Sequence, residues 1–436
     1  MGKKKAAKEN RYAESNMLTQ AIKGAKDILP LDTPRWQRLE AIARDIFRRY
    51  GFAEIRTPII EHTILFARSI GATSDIVEKE MYAFRDQGGD EITMRPEGTA
   101  GVVRAFVEHK LYASPLPATK VYYMGPMFRR ERPQAGRQRQ FHQIGIEALG
   151  VSEASIDIDV LSLLVDIFKA LRIEGVELRI NSLGCADCRP KYREALKGFL
   201  LERKDQLCPD CQRRIEAIPL RALDCKSEHC RKATADAPEM ADYLDDACRE
   251  HFGKVRQGLE DLGIKYSVDP RMVRGLDYYT RTTFEMVMTD KTGAQNAVAA
   301  GGRYDGLVQE VGGPPTSGIG FAIGVERLIL MLPEDGKGMQ GTDIFIASIG
   351  AEAERLGLKL AHELRAKGLC AERDYAGAGL KSQMKKADRL GAKYVLIMGE
   401  DELANGKAVL RDMTTKDQAE LPIEGIVAAI ADKLKK

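Results

Sequence analysis

Apolar residues after Arg35 fall at helical spacing. Trp36, Leu39, Ile42, Ile46, Phe47 and Tyr50 share one face, and Gly51 ends the run. The stretch AEIRTPII then reads as extended, with Pro58 favouring a strand edge or end. MYAFRD and EITMRP flank QGGD, the pattern of a hairpin. A second helix is expected over roughly 98–112, followed by strands in KVYYMGPMFRR and RQFHQIGIEALG joined by a polar loop. A helix near 153–171 and a strand at VELRINSL come next, and charged helical sequence then runs to about residue 262. RGLDYYTRTTFEMVM and AVAAGGRYDG are strand-like and Gly-rich, and SGIGFAIGVERLILML reads as a strand running into a helix. The Gly-rich, charged stretch 333–342 reads as a linker. Beyond it DIFIASIG, a helix, GLCAERDY, a helix and YVLIMG alternate as β-α-β-α-β, which predicts a small α/β domain with a mainly parallel sheet. No internal repeat is present.

Composition narrows the class. At roughly 150 residues per domain, 436 residues suggest about three domains. Hydrophobic residues at 44% and charged residues at 30% exclude a disordered chain, a collagen-like chain and a small disulfide-stapled scaffold. The balance of 67 Lys and Arg against 64 Asp and Glu leaves a net charge of +3, so a nucleic-acid partner would have to be met by a local patch. No run reaches 18 apolar residues, and the longest candidate, VLSLLVDIFKAL, is broken by Asp166; no membrane span is expected. Residues 1–20 read as a flexible basic tail, with neither the apolar core of a secretory signal nor the Ser/Thr of a myristoylation signal. Of the eight cysteines, six fall between Cys185 and Cys230, which points to a reducing, cytoplasmic compartment and a metal site rather than a disulfide framework.

Alternate residues of a strand share a face. In the strands flanking 129–140, Arg129, Phe141, Gln143, Gly145 and Glu147 are odd-numbered, whereas Ile144 and Ile146 are even and point to a core. One face therefore presents polar groups beside a glycine, with room for a ligand. The loop carries Arg129, Arg130, Arg132, Arg137 and Arg139 against Glu131, and guanidinium forks suit phosphate. The same loop could equally be a solvated charged hairpin. Gly318, Gly320 and Gly324 do not keep dinucleotide-fingerprint spacing, and no GxxxxGK[ST] loop occurs. If ATP binds, arginines and a metal ion must hold its phosphates.

Together these features resemble one family. MGPMFRRERPQAGRQRQFHQIGIEALG is similar to motif 2 of class II aminoacyl-tRNA synthetases, GFAEIRTPIIEHTILF to motif 1 and GIGFAIGVERL to motif 3. MRPEGT, RGLDYY and AGGRYDGL resemble signatures of histidyl-tRNA synthetases, and KGAKDILP their usual start. The resemblance implies an α+β catalytic core, an antiparallel sheet with helices, over 21–341, with a Cys-rich insertion at about 185–262 and a C-terminal anticodon-binding α/β domain over 342–436. It implies ligation of L-histidine to tRNA-His through histidyl-adenylate, with ATP and Mg²⁺, by a C2 homodimer joined through motif 1. The alternatives are a synthetase-like regulatory subunit, such as the one controlling ATP phosphoribosyltransferase, and another class II synthetase. Arg129, Arg274, Arg327 and the chain beyond the linker weigh against the first, RGLDYY and Glu147 against the second.

Residue roles carry over from the same resemblance. Arg129 would grip the α-phosphate and the substrate carboxylate, Arg274 the α-phosphate from the opposite side, and Arg327 the far end of a bent ATP, with Arg137 also at the nucleotide. Glu147 and Tyr279, with Tyr278 nearby, would face the imidazole; Glu97, Thr99 and Gln143 would take the ammonium. No general base is needed, because an amino-acid carboxylate is already ionised; His142 is expected to be structural. Arg132 and Gln134 would meet the tRNA acceptor end, and Lys381, Lys385, Lys386, Arg389 and Lys393 form a run that suits phosphates or solvent alike.

The cysteines follow CxxC-x19-CxxC-x13-C-x4-C over Cys185, Cys188, Cys208, Cys211, Cys225 and Cys230, a spacing that suggests one structural Zn²⁺. Either the first two pairs or the last two fit. Cys248 and Cys370 have no partner by spacing and read as core residues.

Overall fold

The computed structural model describes residues 20–70, 76–134, 136–273, 278–289, 296–333 and 341–435. The chain divides into two compact units at residues 334 and 335. The 1–20 tail, apart from Gln20, lies outside the described residues.

Among the described residues the first unit is built on eleven strands: β1 (Ala53–Glu54), β2 (Ile60–His62), β3 (Tyr82–Arg85), β4 (Glu91–Met94), β5 (Thr119–Phe128), β6 (Gln140–Leu149), β7 (Val176–Ser182), β8 (Ser267–Val268), β9 (Thr280–Met288), β10 (Ala297–Arg303) and β11 (Gly318–Gly324). Eight of them form one sheet in the order β1-β5-β6-β11-β10-β9-β7-β8. It is antiparallel from β5 to β7, with parallel pairs only at its two edges. The remaining three form a small sheet, β2-β4-β3. The extended stretch before residue 63 therefore feeds two sheets, and Pro58 falls between its strands, where its missing N–H costs no ladder bond. Arg95 holds the junction, donating to the carbonyls of Thr57 and Pro126 at 2.9 Å each.

The two-residue period decides what each sheet face does. Even-numbered Ile144 and Ile146 on β6 and odd-numbered Ile319 and Ile323 on β11 enter the main core, with Phe47 from the helix Thr33–Arg49, Leu161, Leu164 and Phe168 from Ala154–Ala170, and Val255 and Leu259 from Asp246–Asp261. Full burial of such side chains contributes roughly 1.5–3 kcal/mol each. The opposite face of β11 carries Gly320, Ala322 and Gly324, and that lack of bulk leaves a cavity above the sheet. Under the sheet, fully buried Asp157 accepts from the Arg303 guanidinium and pairs with His251 Nε2 at 2.8 Å, so the buried charges neutralise each other.

Between β7 and β8 the helices Cys188–Glu202, Pro209–Ala217 and Glu228–Ala233 enclose a separate small core of Tyr192, Leu196, Leu200, Ile215 and Leu223 with several cysteines. No helix among the described residues is long and apolar enough to cross a membrane.

The second unit carries β12 (Ile344–Ser348), β13 (Ala371–Arg373), β14 (Tyr394–Met398), β15 (Lys407–Asp412) and β16 (Gln418–Pro422), ordered β13-β12-β14-β15-β16. The first three are parallel, as the β-α-β-α-β pattern predicts. The last two add an antiparallel hairpin, so the sheet is mixed rather than mainly parallel. In the basic run, Lys386 pairs with Asp374, and Lys393 with Asp343 at 2.7 Å, while Lys381 and Lys385 stay exposed.

Candidate active site

The polar face of β6 and the facing parts of β9, β10 and β11 border a cavity of about 300 Å³. Glu97, Thr99, Arg129, Arg137, Gln143, Tyr278, Tyr279 and Arg327 all line it. The described residues make a connected row. Arg327 donates through Nε to the Gly136 carbonyl (3.4 Å) and through Nη1 to that of Ala297. Arg137 pairs with Glu131 at 3.1 Å, and Arg129 Nη1 lies 3.9 Å from the same carboxylate. Arg129 Nε donates to the Pro96 carbonyl at 2.9 Å and its guanidinium lies over the Phe141 ring at 5.2 Å. Burial and the neighbouring Arg137 and Arg129 cations hold Arg327 below the ordinary arginine value, with Glu131 opposing them. This end of the cavity gathers three guanidiniums beside the carboxylates of Glu131 and Glu285, and guanidinium forks suit phosphate.

The other end is acidic. Glu97 accepts the backbone N–H groups of Thr99 (2.6 Å) and Ala100 (2.9 Å) at the start of the helix Thr99–Glu108. Burial raises its pKa even so. Glu147, 1% exposed, accepts the Thr99 hydroxyl at 2.7 Å and the Tyr304 hydroxyl. Burial pushes its pKa up to about 8, against those two hydrogen bonds and with the Glu97 charge adding to the rise. Gln143 Oε1 is buried without a hydrogen-bond partner among the described residues. Two buried carboxyls and an unused amide oxygen call for a cationic ligand carrying N–H donors.

Glu147 is not itself among the lining residues; Thr99 and Tyr304, which do line the cavity, stand between. Gly320 also lines it, and a Cβ there would collide with the Glu147 carboxylate, so glycine leaves the approach to that carboxylate open. Gly98 must likewise lack a Cβ, which would strike the Tyr123 ring. The rings of Tyr278 and Tyr279 meet at 4.6 Å, and Tyr278 and Tyr304 meet edge to face at 5.7 Å. Arg274 lies outside the described residues. Arg132 and Gln134 are exposed on the loop between β5 and β6. His142 is tied by its backbone N–H and its Nδ1 to Glu326 and packs edge-on to Trp36, a structural arrangement.

Sequence reasoning missed the roles of Tyr304, Glu131 and Glu285, all cavity-lining. Tyr304 sits in the quoted GGRYDG string, and Glu285 is an acid amid Phe284, Met286 and Val287, a signal in itself.

The cysteines separate by geometry. Cys208, Cys211, Cys225 and Cys230 bring four sulfurs within 4.8 Å of one another, so the last two pairs of the sequence pattern converge. Cys185 and Cys188 lie elsewhere, with Asp245 and Cys248. Cys248 is buried in the small core as expected but is not partnerless, since chain reversal brings it to Cys185 from 63 positions away in sequence; Cys370, also read as core, is exposed.

An antiparallel sheet that carries arginines and buried acids on one face, with an α/β unit following, has the layout of a class II aminoacyl-tRNA synthetase. A family model described as histidyl-tRNA synthetase matches residues 24–328, and one described as an anticodon-binding domain matches 343–433. The histidine–tRNA ligase of Syntrophotalea carbinolica is 55% identical over 419 residues, covering 96% of this chain and 100% of that protein. That of Geobacter sulfurreducens is 56% identical over 402 residues, covering 92% and 97%. The crystal structure of apo histidyl-tRNA synthetase from S. aureus aligns with a TM-score of 0.81 at 38% identity, covering 95% of this chain and 100% of that one. The chain belongs to the histidyl-tRNA synthetase family.

Proposed function

We propose that this chain ligates L-histidine to tRNA-His with ATP, through a histidyl-adenylate intermediate. The observation that carries the reading is the distribution of polar groups along the cavity: buried Glu97 and the Gln143 oxygen at one end, with Glu147 behind Thr99 and Tyr304, and Arg129, Arg137 and Arg327 at the other. Histidine offers an ammonium and an imidazole N–H to the first, ATP its phosphates to the second.

Glu97, Thr99 and Gln143 take the ammonium; Tyr279 and Glu147, with Tyr278 and Tyr304 around them, take the imidazole. Arg129, between the two ends, holds the substrate carboxylate against the α-phosphate. A carboxylate oxygen attacks the α-phosphorus, the bond to the bridging oxygen breaks, and pyrophosphate leaves. Charge builds on the phosphoryl oxygens, so fixed cations supply the catalysis. Arg274 takes the α-phosphate from the other side, and Arg327 and Arg137 hold the remaining phosphates. The carboxylates of Glu131 and Glu285 are oxygen donors of the kind Mg²⁺ prefers, and the ion screens phosphate charge when bound. The terminal ribose hydroxyl of tRNA-His then attacks the acyl carbon, and AMP departs.

Arg132 and Gln134 face the acceptor end, and residues 342–436 the anticodon. Homodimerisation is supported by exposed Ile59, Ile60, Ile64 and Phe84 around the small sheet, an apolar set that a partner would cover. A cytoplasmic location fits the free thiols. Cys208, Cys211, Cys225 and Cys230 hold one structural Zn²⁺; the 3.8 Å between the Cys208 and Cys225 sulfurs equals the edge, about 3.8 Å, of a tetrahedron with 2.3 Å Zn–S bonds. Aminoacylation tests the whole reading: histidine should be transferred to tRNA-His and not to an unrelated tRNA, and failure to charge tRNA-His would refute it.

A further inference from the structure

We infer that Cys185, Cys188, Asp245 and Cys248 form a second divalent-metal site, of the Cys₃Asp zinc type, which braces the tyrosine wall of the histidine pocket. It uses none of the four cysteines assigned to the first site and stands independently of them.

Four elements of geometry support it. The ligand atoms lie within 4.8 Å of one another: Cys185 Sγ is 3.5 Å from Cys188 Sγ and 3.1 Å from Asp245 Oδ2. These separations match the edges of a small tetrahedron and are far too long for a disulfide, whose sulfurs lie about 2.05 Å apart. Cys188 and Cys248 come from the first turns of the helices Cys188–Glu202 and Asp246–Asp261, Asp245 caps the second helix, and Cys185 lies in the turn just before the first, so N–H groups that favour negative charge surround the set. The outer contacts fit a thiolate site: the Asp245 N–H donates to Cys188 Sγ at 3.2 Å, and Asp245 Oδ1 accepts the Cys248 N–H at 2.7 Å, turning Oδ2 toward the sulfurs. Finally, Gly184 has φ +63°, and a Cβ there would collide with Met240 and crowd Cys188, so this residue lets the chain turn tightly into the site.

The same turn reaches the active site. The Leu183 N–H donates to the Arg281 carbonyl at 2.7 Å, and the Arg281 N–H to the Gly184 carbonyl at 2.8 Å. Arg281 has φ 48°, a left-handed conformation that these bonds hold. Arg189, one residue beyond Cys188, donates to the Tyr279 carbonyl. A metal ion fastening Cys185 and Cys188 to Asp245 and Cys248 therefore fixes the turn on which Tyr278 and Tyr279 hang. Thiolate-rich tetrahedral ligation selects Zn²⁺ over Mg²⁺ or Ca²⁺.

Metal analysis of untagged, full-length protein tests this. Wild type should carry two zinc ions per chain, one for each cluster. The variant Cys185→Ser/Cys188→Ser should carry one, with a raised histidine KM and an unchanged ATP KM; Cys225→Ser/Cys230→Ser should also carry one. Equal zinc in wild type and Cys185→Ser/Cys188→Ser overturns the second site while leaving the first intact. Equal zinc in wild type and Cys225→Ser/Cys230→Ser overturns the first and leaves the second. If a double variant does not fold, chelator-stripped wild type and Asp245→Cys are loaded with Co²⁺. A fourth thiolate should intensify the sulfur-to-cobalt absorption, and identical spectra overturn the proposal.

Discussion

Glu147→Gln is the sharpest perturbation of the histidine end. The amide keeps the shape of the carboxylate but replaces one acceptor oxygen by a donor. Both oxygens are in use, one by the Thr99 hydroxyl at 2.7 Å and one by Tyr304, so the amide leaves one hydroxyl facing a donor. It also removes the charge that an imidazole N–H would meet. A hydrogen bond to a charged group is worth about 1.5–3 kcal/mol, so the histidine KM should rise about 10–150-fold. The arginine end is untouched, so the ATP KM should stay within about threefold, the range expected of a site with no shared partner. The pH profile gives a second reading. Burial holds the Glu147 carboxyl at about 8 in the empty site, so near neutrality it is protonated. A charge-assisted bond from the imidazole N–H needs the ionised form, so tight binding expels that proton. Histidine affinity should therefore climb as pH rises toward about 8 and level off above it, and Glu147→Gln should flatten the climb. Histidine-dependent ATP–pyrophosphate exchange measures both. Equal rises in the two KM values, or a pH dependence that survives the substitution, would refute the reasoning.

Three further outcomes are expected. Arg327→Ala should lower kcat/KM for ATP by about 10²–10³-fold with a near-normal histidine KM; equal losses for both substrates would contradict its place at the nucleotide. Arg274→Ala should collapse adenylate formation in single-turnover assays, and near-normal activation would remove it from the reaction. Asp157→Ala leaves the fully buried Arg303 cation with Asp305 (3.3 Å) as its one carboxylate among the described residues and should cost about 3 kcal/mol in urea unfolding, whereas a loss under about 1 kcal/mol would show that the Asp157 pair is dispensable.

What the sequence disclosed depended on how local the cause was. The β5–β6 hairpin was legible because alternation alone assigns Ile144 and Ile146 to the core and Gln143 to the opposite face. The split of one extended stretch between β1 and β2 was not, since both strands are short and their partners lie far along the chain. The β15–β16 hairpin did have a local signal that went unread: Asp412 accepts the N–H groups of Thr414 (2.8 Å) and Thr415 (3.1 Å), a side-chain turn closing the strands. At the site, motif strings located most of the cavity wall, but the Tyr304–Glu147 contact joins positions 157 residues apart. The partners of Cys248 were missed for the same reason, because spacing registers only neighbours in sequence and those thiols arrive through the fold.

The central claim, activation of histidine in this cavity, is tested most directly by ATP–pyrophosphate exchange with each of the twenty amino acids in turn, in the presence of Mg²⁺. Exchange with histidine alone is the predicted result. Exchange driven by a different amino acid, or none from folded protein, would contradict it.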